Sequence, residues 1–371
     1  MSVQEKRKAA VILFGFRYTD IRKLALVNIE KDPDQYYMGL EPQWIKQKNG
    51  KTGYRVVAYR LDGYVDVYDE PHLVLENEQS FDVTGKGLCE RITTKMEDVT
   101  FSREQDRLSL SFSFLDKYGR HVQVNIEEHS KKPSKGVSLL APVGSSSVNP
   151  TYLPVFFLYQ FDFVRKRGTE ASVKIDDQEY QMDPFPYPVP KDMQWRYYAR
   201  YSDDCQIVEF APSSEETLKL LPVEENGVLE ADDVKYTFSE NSVLQRMEAI
   251  TEDHPLEVVF SEGIPDIRTI QDNQSVSGLF SIRAKPEMGT IEGTFHMSRE
   301  ENNVTLIVRP EGGWCAVPDS LFTKMMFQEK SLFRQWPATY EYRQVIDVAT
   351  LYSKSEWRRI KESVQKDAQT S

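Results

Sequence analysis

The stretch from Leu108 to His129, LSLSFSFLDKYGRHVQVNIEEH, alternates apolar and polar side chains with a period of two. Leu108, Leu110, Phe112 and Phe114 share one face, and Ser109, Ser111 and Ser113 the other. After a turn through Asp116 to Gly119, Val122, Val124 and Ile126 again share a face, opposed by His121, Gln123 and Asn125. A helix would scatter these side chains around its axis. A strand places them on two faces, one of them buried. The stretch is therefore an antiparallel hairpin with one face in a core.

The same pattern recurs. YRVVAYRLDGYVDVYDE is a second hairpin, with Asp62-Gly63 supplying the tight turn. VFFLYQFDFVRKRGTEASVKIDDQEY is a third, turning at Gly168. Further strands are expected at Trp195 to Tyr201, Gln206 to Phe210, Val234 to Phe238, Leu256 to Phe260, Val276 to Arg283, Thr290 to Met297 and Val304 to Val308. Aromatic residues make up 12% of the chain, which suits pleated, half-buried surfaces. Many short strands at short spacing predict a sandwich or barrel.

Helix is expected mainly near the C-terminus. From Pro318 to Pro337, residues Leu321, Phe322, Met325, Met326 and Phe333 fall on one helical face. Ser353 and Glu356 have capping-box spacing, and Trp357, Ile360 and Val364 then line one side. This predicts a short amphipathic helix followed by a frayed tail.

Residues 183 to 201 read DPFPYPVPKDMQWRYYARY. Proline donates no amide proton, so Pro184, Pro186, Pro188 and Pro190 exclude a central strand and favour a stiff, extended connector. The expected organisation is an N-terminal β unit at 1–183, a connector at 184–194, a second β unit at 195–348, and a helix and tail at 349–371. The connector's aromatic residues also suit a ligand pocket, since small-molecule sites favour such junctions. A proline-groove partner is the competing use.

The layout resembles the double lipocalin-like proteins related to hydroxyneurosporene synthase and the AttH family. The likeness lies in a strand pair followed by LLAPVG, then an apolar strand, a turn, and a strand ending in KIDDQEY. It spans roughly residues 50 to 345 and carries no diagnostic motif. It implies a mainly β fold of two antiparallel calycin-type barrels or half-barrels in tandem, with a few short helices near the C-terminus. It also implies a cavity for a small, largely apolar molecule.

The net charge of -12 disfavours phosphate backbones and anionic lipid, so no nucleic-acid partner is expected. No run is long enough to span a bilayer, so no membrane insertion is expected. Cys89, Cys205 and Cys315 lie far apart, which fits reduced thiols and a cytoplasmic location. No nucleophile elbow, phosphate loop, dinucleotide fingerprint or zinc motif occurs, so no cofactor or metal is implied. The neighbours Glu128 and His129 project oppositely on a strand and make a poor metal site. The candidate ligand-binding residues are Phe185, Tyr187, Trp195 and Tyr197, with Asp162 and His296 as titratable groups that an apolar cavity would activate. The expected function is binding of a small apolar or aromatic ligand. The alternatives are an enzyme acting on an isoprenoid-like or lipid substrate, and a protein-interaction module. The sequence carries no signal for an oligomeric state.

Overall fold

A computed structural model describes residues 9–360, except 48, 74–81, 84–85, 131–135, 143–151, 187–189, 251–255, 311–313 and 329–339. The chain is mainly β, with 62% of residues in strands and 3% helical, arranged in several sheets. No closed barrel is formed among the described residues. Two compact units divide the chain. One comprises residues 18–141 and 155–208, the other residues 1–17, 142–154 and 209–371. The strand Arg196–Ser202, placed by sequence after the connector, pairs with Leu153–Arg165 and with Phe16–Asn28. Alternation reveals which side chains share a face, but not which strand lies alongside.

The unit of residues 18–141 and 155–208 is built from a ten-stranded and a five-stranded sheet. In the five-stranded sheet the order is Gln178–Tyr180, Thr169–Ile175, His121–Glu128, Arg107–Leu115, Glu97–Glu104. The predicted hairpin is its centre, with Val122 opposite Phe114 and Ile126 opposite Leu110. The ten-stranded sheet includes Arg196–Ser202, Phe16–Asn28, Tyr37–Lys46, Thr52–Arg60 and Val65–Asp69 as successive neighbours. Its inner face presents Ala25, Val27, Leu40, Val56, Ala58 and Tyr201 to the apolar face of the hairpin, and together they form one buried cluster. This is sheet-on-sheet packing, with a core filled by its own side chains.

The other unit is an antiparallel meander. Its eleven-stranded sheet runs from Glu215–Thr217 through Tyr352–Arg359, Tyr340–Asp347, Asn303–Arg309, Thr290–Glu300 and Ser275–Arg283 toward Val228–Ala231. Phe14 lies at the heart of its core, with ring centroids 5.4 Å from Tyr342 and 6.3 Å from Trp357.

The C-terminal segment corrects the sequence reading. Residues Tyr352–Arg359 form a strand rather than a helix, pairing with Tyr340–Asp347 and with Glu215–Thr217. Ser353, Ser355 and Trp357 point inward at period two, and the Trp357 indole donates to the carbonyl of Ala211 at 2.9 Å. The capping-box spacing loses because the strand buries the whole of Trp357 and pairs both edges. Val364 lies outside the described residues. The helix expected after Pro318 covers Leu321–Phe327, with Ser320 as its N-cap, and is the one α-helix among the described residues. Phe333 lies outside them.

Candidate functional site

Period two carries the hairpin's inward face beyond Ile126 to Glu128, whose carboxylate therefore sits at the end of an apolar core, 1% exposed. Oε2 accepts the backbone N–H of Leu108 at 3.1 Å, and Oε1 that of Arg165 at 2.8 Å. These bonds offset its removal from water. On the adjoining strand Thr169 lies directly opposite, and its Oγ1 is buried with no hydrogen-bond partner among the described residues. Across Leu108, Arg103 directs its guanidinium to the Asp106 carboxylate at 3.3 Å and the Gln160 side chain at 3.2 Å. Gln160 has a φ of 53°, a left-handed kink within its strand.

Two residues of the facing sheet complete the arrangement. Arg165 is 5% exposed and donates to the carbonyls of Asp106 and Ser130 at 2.9 and 3.4 Å. Tyr201, on the strand Arg196–Ser202, faces the core 5.9 Å beneath the Arg103 guanidinium. It is 1% exposed, and its hydroxyl has no hydrogen-bond partner among the described residues. Burial raises the pKa of that hydroxyl, and the carboxylates of Asp162 and Glu128 add to the effect, while Arg103 and Arg165 oppose it. The group is thus a donor at neutral pH, not a base. An unmade hydrogen bond at a buried hydroxyl costs about 1–3 kcal/mol, so this position favours a polar partner from solution.

The candidates chosen from sequence divide. Asp162 lies opposite Tyr201, accepts its neighbour Phe163's N–H at 2.8 Å, and pairs with Arg196 at 3.5 Å. Tyr197 shares the Tyr201 strand and packs half-buried against the same core, where burial raises its hydroxyl pKa. Phe185 packs edge-on against Phe163 with centroids 4.7 Å apart. Trp195 is 80% exposed, where a pocket lining would be covered. Tyr187 lies outside the described residues. His296 belongs to the other unit and is exposed on its sheet, with Nδ1 2.8 Å from the Ser277 hydroxyl. It occupies the outward position of its strand because Phe295 and Met297 take the inward ones. The structure therefore groups Asp162 and Tyr197 with Tyr201, and leaves His296 apart from any apolar cavity.

Sequence reasoning missed Tyr201, Glu128, Arg165 and Thr169 as a set. One signal was present. Glu128 occupies the apolar phase of its strand, and a carboxylate in that phase marks either a buried site or a misplaced strand end.

The opposite end of the same sandwich, where the hairpin turns at Asp116 to Gly119, has a different character. Asp66 is fully buried and accepts from Lys117 Nζ at 2.8 Å and Arg60 Nη1 at 3.1 Å. The hydroxyls of Tyr37 and Tyr68 lie 2.6 Å apart, and burial pushes Tyr68 up to about 12. Arg120 bridges Asp34 and Asp116 at 2.9 and 2.8 Å, and Tyr180 donates to Asp34 at 3.1 Å. Burial alone would raise the Asp34 pKa, but Arg120 and the Tyr36 amide hold it below the usual range. This network ties the turns together, and its carboxylates and tyrosine hydroxyls have their partners in place.

Elsewhere, a hollow lined by Leu13, Phe238, Leu244, Ile264 and Asp266 in the other unit has room for about one water. No cluster of metal-ligating side chains occurs among the described residues. No described helix is long and apolar enough to cross a membrane. No family model matches the chain, and no curated protein or solved structure matches it.

Proposed function

We propose that the unit of residues 18–141 and 155–208 binds a small, largely apolar molecule at the Tyr201 end of its sandwich. The observation that carries this reading is the Tyr201 hydroxyl, 1% exposed and without a hydrogen-bond partner among the described residues, at the end of an apolar core. The packed middle of the core argues for a ligand at the end of the sandwich rather than at its centre. A lipocalin-like half-barrel architecture and a cytoplasmic location belong to the same reading. The test is native mass spectrometry of freshly purified protein, with solvent extraction of whatever is released. A stoichiometric apolar molecule is expected, bound roughly tenfold less tightly by Tyr201→Phe. A clean apo mass that persists after incubation with a lipid and isoprenoid panel overturns the reading.

One observation favours a second reading, that of an interaction surface. Trp195 and Met193 are 80% and 60% exposed within the same short segment, and exposed aromatic residues anchor interfaces. In that case Trp195→Ala lowers partner association and Tyr201→Phe does not.

A further inference from the structure

Resting on the Tyr201 site just proposed, the geometry points to a neutral ligand that presents a carbonyl-type acceptor oxygen to the Tyr201 hydroxyl, and not to a carboxylate or phosphate. Two facts combine. The hydroxyls without hydrogen-bond partners among the described residues at this end, Tyr201 and Thr169, can each donate. The charges around Tyr201 balance: Asp162 and Glu128 are carboxylates, and Arg103 and Arg165 are guanidinium groups. An anionic head would lose its hydration and meet no net positive field in return. A neutral carbonyl loses far less on leaving water and gains the full hydrogen bond. The two arginines are held as well. Arg103 reaches Asp106 and Gln160, and Arg165 donates to two turn carbonyls. Recruiting them to an anion would break those bonds.

The discriminating probes share one alkyl chain: methyl laurate, laurate and dodecane. Calorimetric titration of each into the full chain is expected to show methyl laurate binding at least about tenfold tighter than either of the others. Tyr201→Phe, with a thermal midpoint no lower than the parent's, should reduce that advantage to about threefold or less. Thr169→Val provides a second, isosteric variant with a smaller loss in the same direction. Laurate binding as tightly as its ester overturns the neutral-ligand inference. Dodecane binding as tightly as the ester overturns the role of the hydroxyl, yet leaves the apolar-ligand reading standing. Binding of none of the three overturns both.

Discussion

The two ends of the sandwich formed by residues 18–141 and 155–208 bury similar chemistry and treat it differently. At the Asp66 end a carboxylate, a lysine, an arginine and two tyrosine hydroxyls engage one another within 3.4 Å. At the Tyr201 end a carboxylate, two arginines and two hydroxyls share the wall, but the hydroxyls of Tyr201 and Thr169 engage no described residue. A completed polar network rigidifies the turns it joins, and removing one member strands the rest. An uncompleted one lowers stability unless a water, an ion or a ligand supplies the missing partner. The difference separates architecture from candidate function without any motif.

The comparison is broken most directly at Asp66. Asp66→Ala leaves Lys117 and Arg60 without their shared buried carboxylate and is expected to cost about 3–5 kcal/mol, read as a lower urea midpoint. A loss below about 1 kcal/mol would mean the network is not what holds this end together. Tyr37→Phe removes one hydroxyl of the 2.6 Å pair and is expected to cost about 1–2 kcal/mol by the same measurement.

Acid unfolding sharpens the contrast. The pKa of Asp34 is lowered on folding, so the folded state binds its proton more weakly than the unfolded chain. Its contribution is fully present above the unfolded value near 3.8 and is lost as pH falls through the lowered folded value. Asp34→Asn should therefore lose less stability than the parent between about pH 5 and about pH 2. Equal slopes would remove Asp34 from the account. The smallest effect is expected at the other end. Tyr201→Phe removes a hydroxyl that has no described partner, so no loss of stability is expected, and a rise is consistent with the cost of leaving that hydroxyl unbonded. A loss as large as that of Tyr37→Phe would show that Tyr201 is structural and erase the difference between the ends.

Much of the fold could be read from the chain. The hairpin of Arg107–Leu115 and His121–Glu128 forms with the predicted buried face and turn, and the Val234–Phe238 strand has the predicted ends. Asp62-Gly63 and Gly168 turn as their chemistry requires, with Gly63 and Gly168 at φ of 89° and 73°. The errors share a cause. Ser353 to Trp357 satisfies a helical start and a strand alternation at once, and only the partner strands decide between them. His296 lies on a strand whose inward phase is shown by Phe295 and Met297, yet a lone histidine drew attention for its chemistry rather than its phase.

The candidate site was less legible. Asp162 and Tyr197 were singled out, while Tyr201, Glu128, Thr169, Arg103 and Arg165 come from five different strands. No spacing connects them, because sheet pairing joins residues far apart in sequence.

By itself, the sequence determined that this chain forms short antiparallel strands with one buried face each, since period two leaves a strand no other way to hide its Leu, Phe and Val side chains. It also determined the turns, through glycine and aspartate. Only the tertiary structure decided which strands are neighbours, that Tyr352–Arg359 is one of them, and that Tyr201 faces Glu128 and Arg103 across a core. Those outcomes depend on long-range burial and on where hydrogen-bond partners end, and neither is encoded in local pattern.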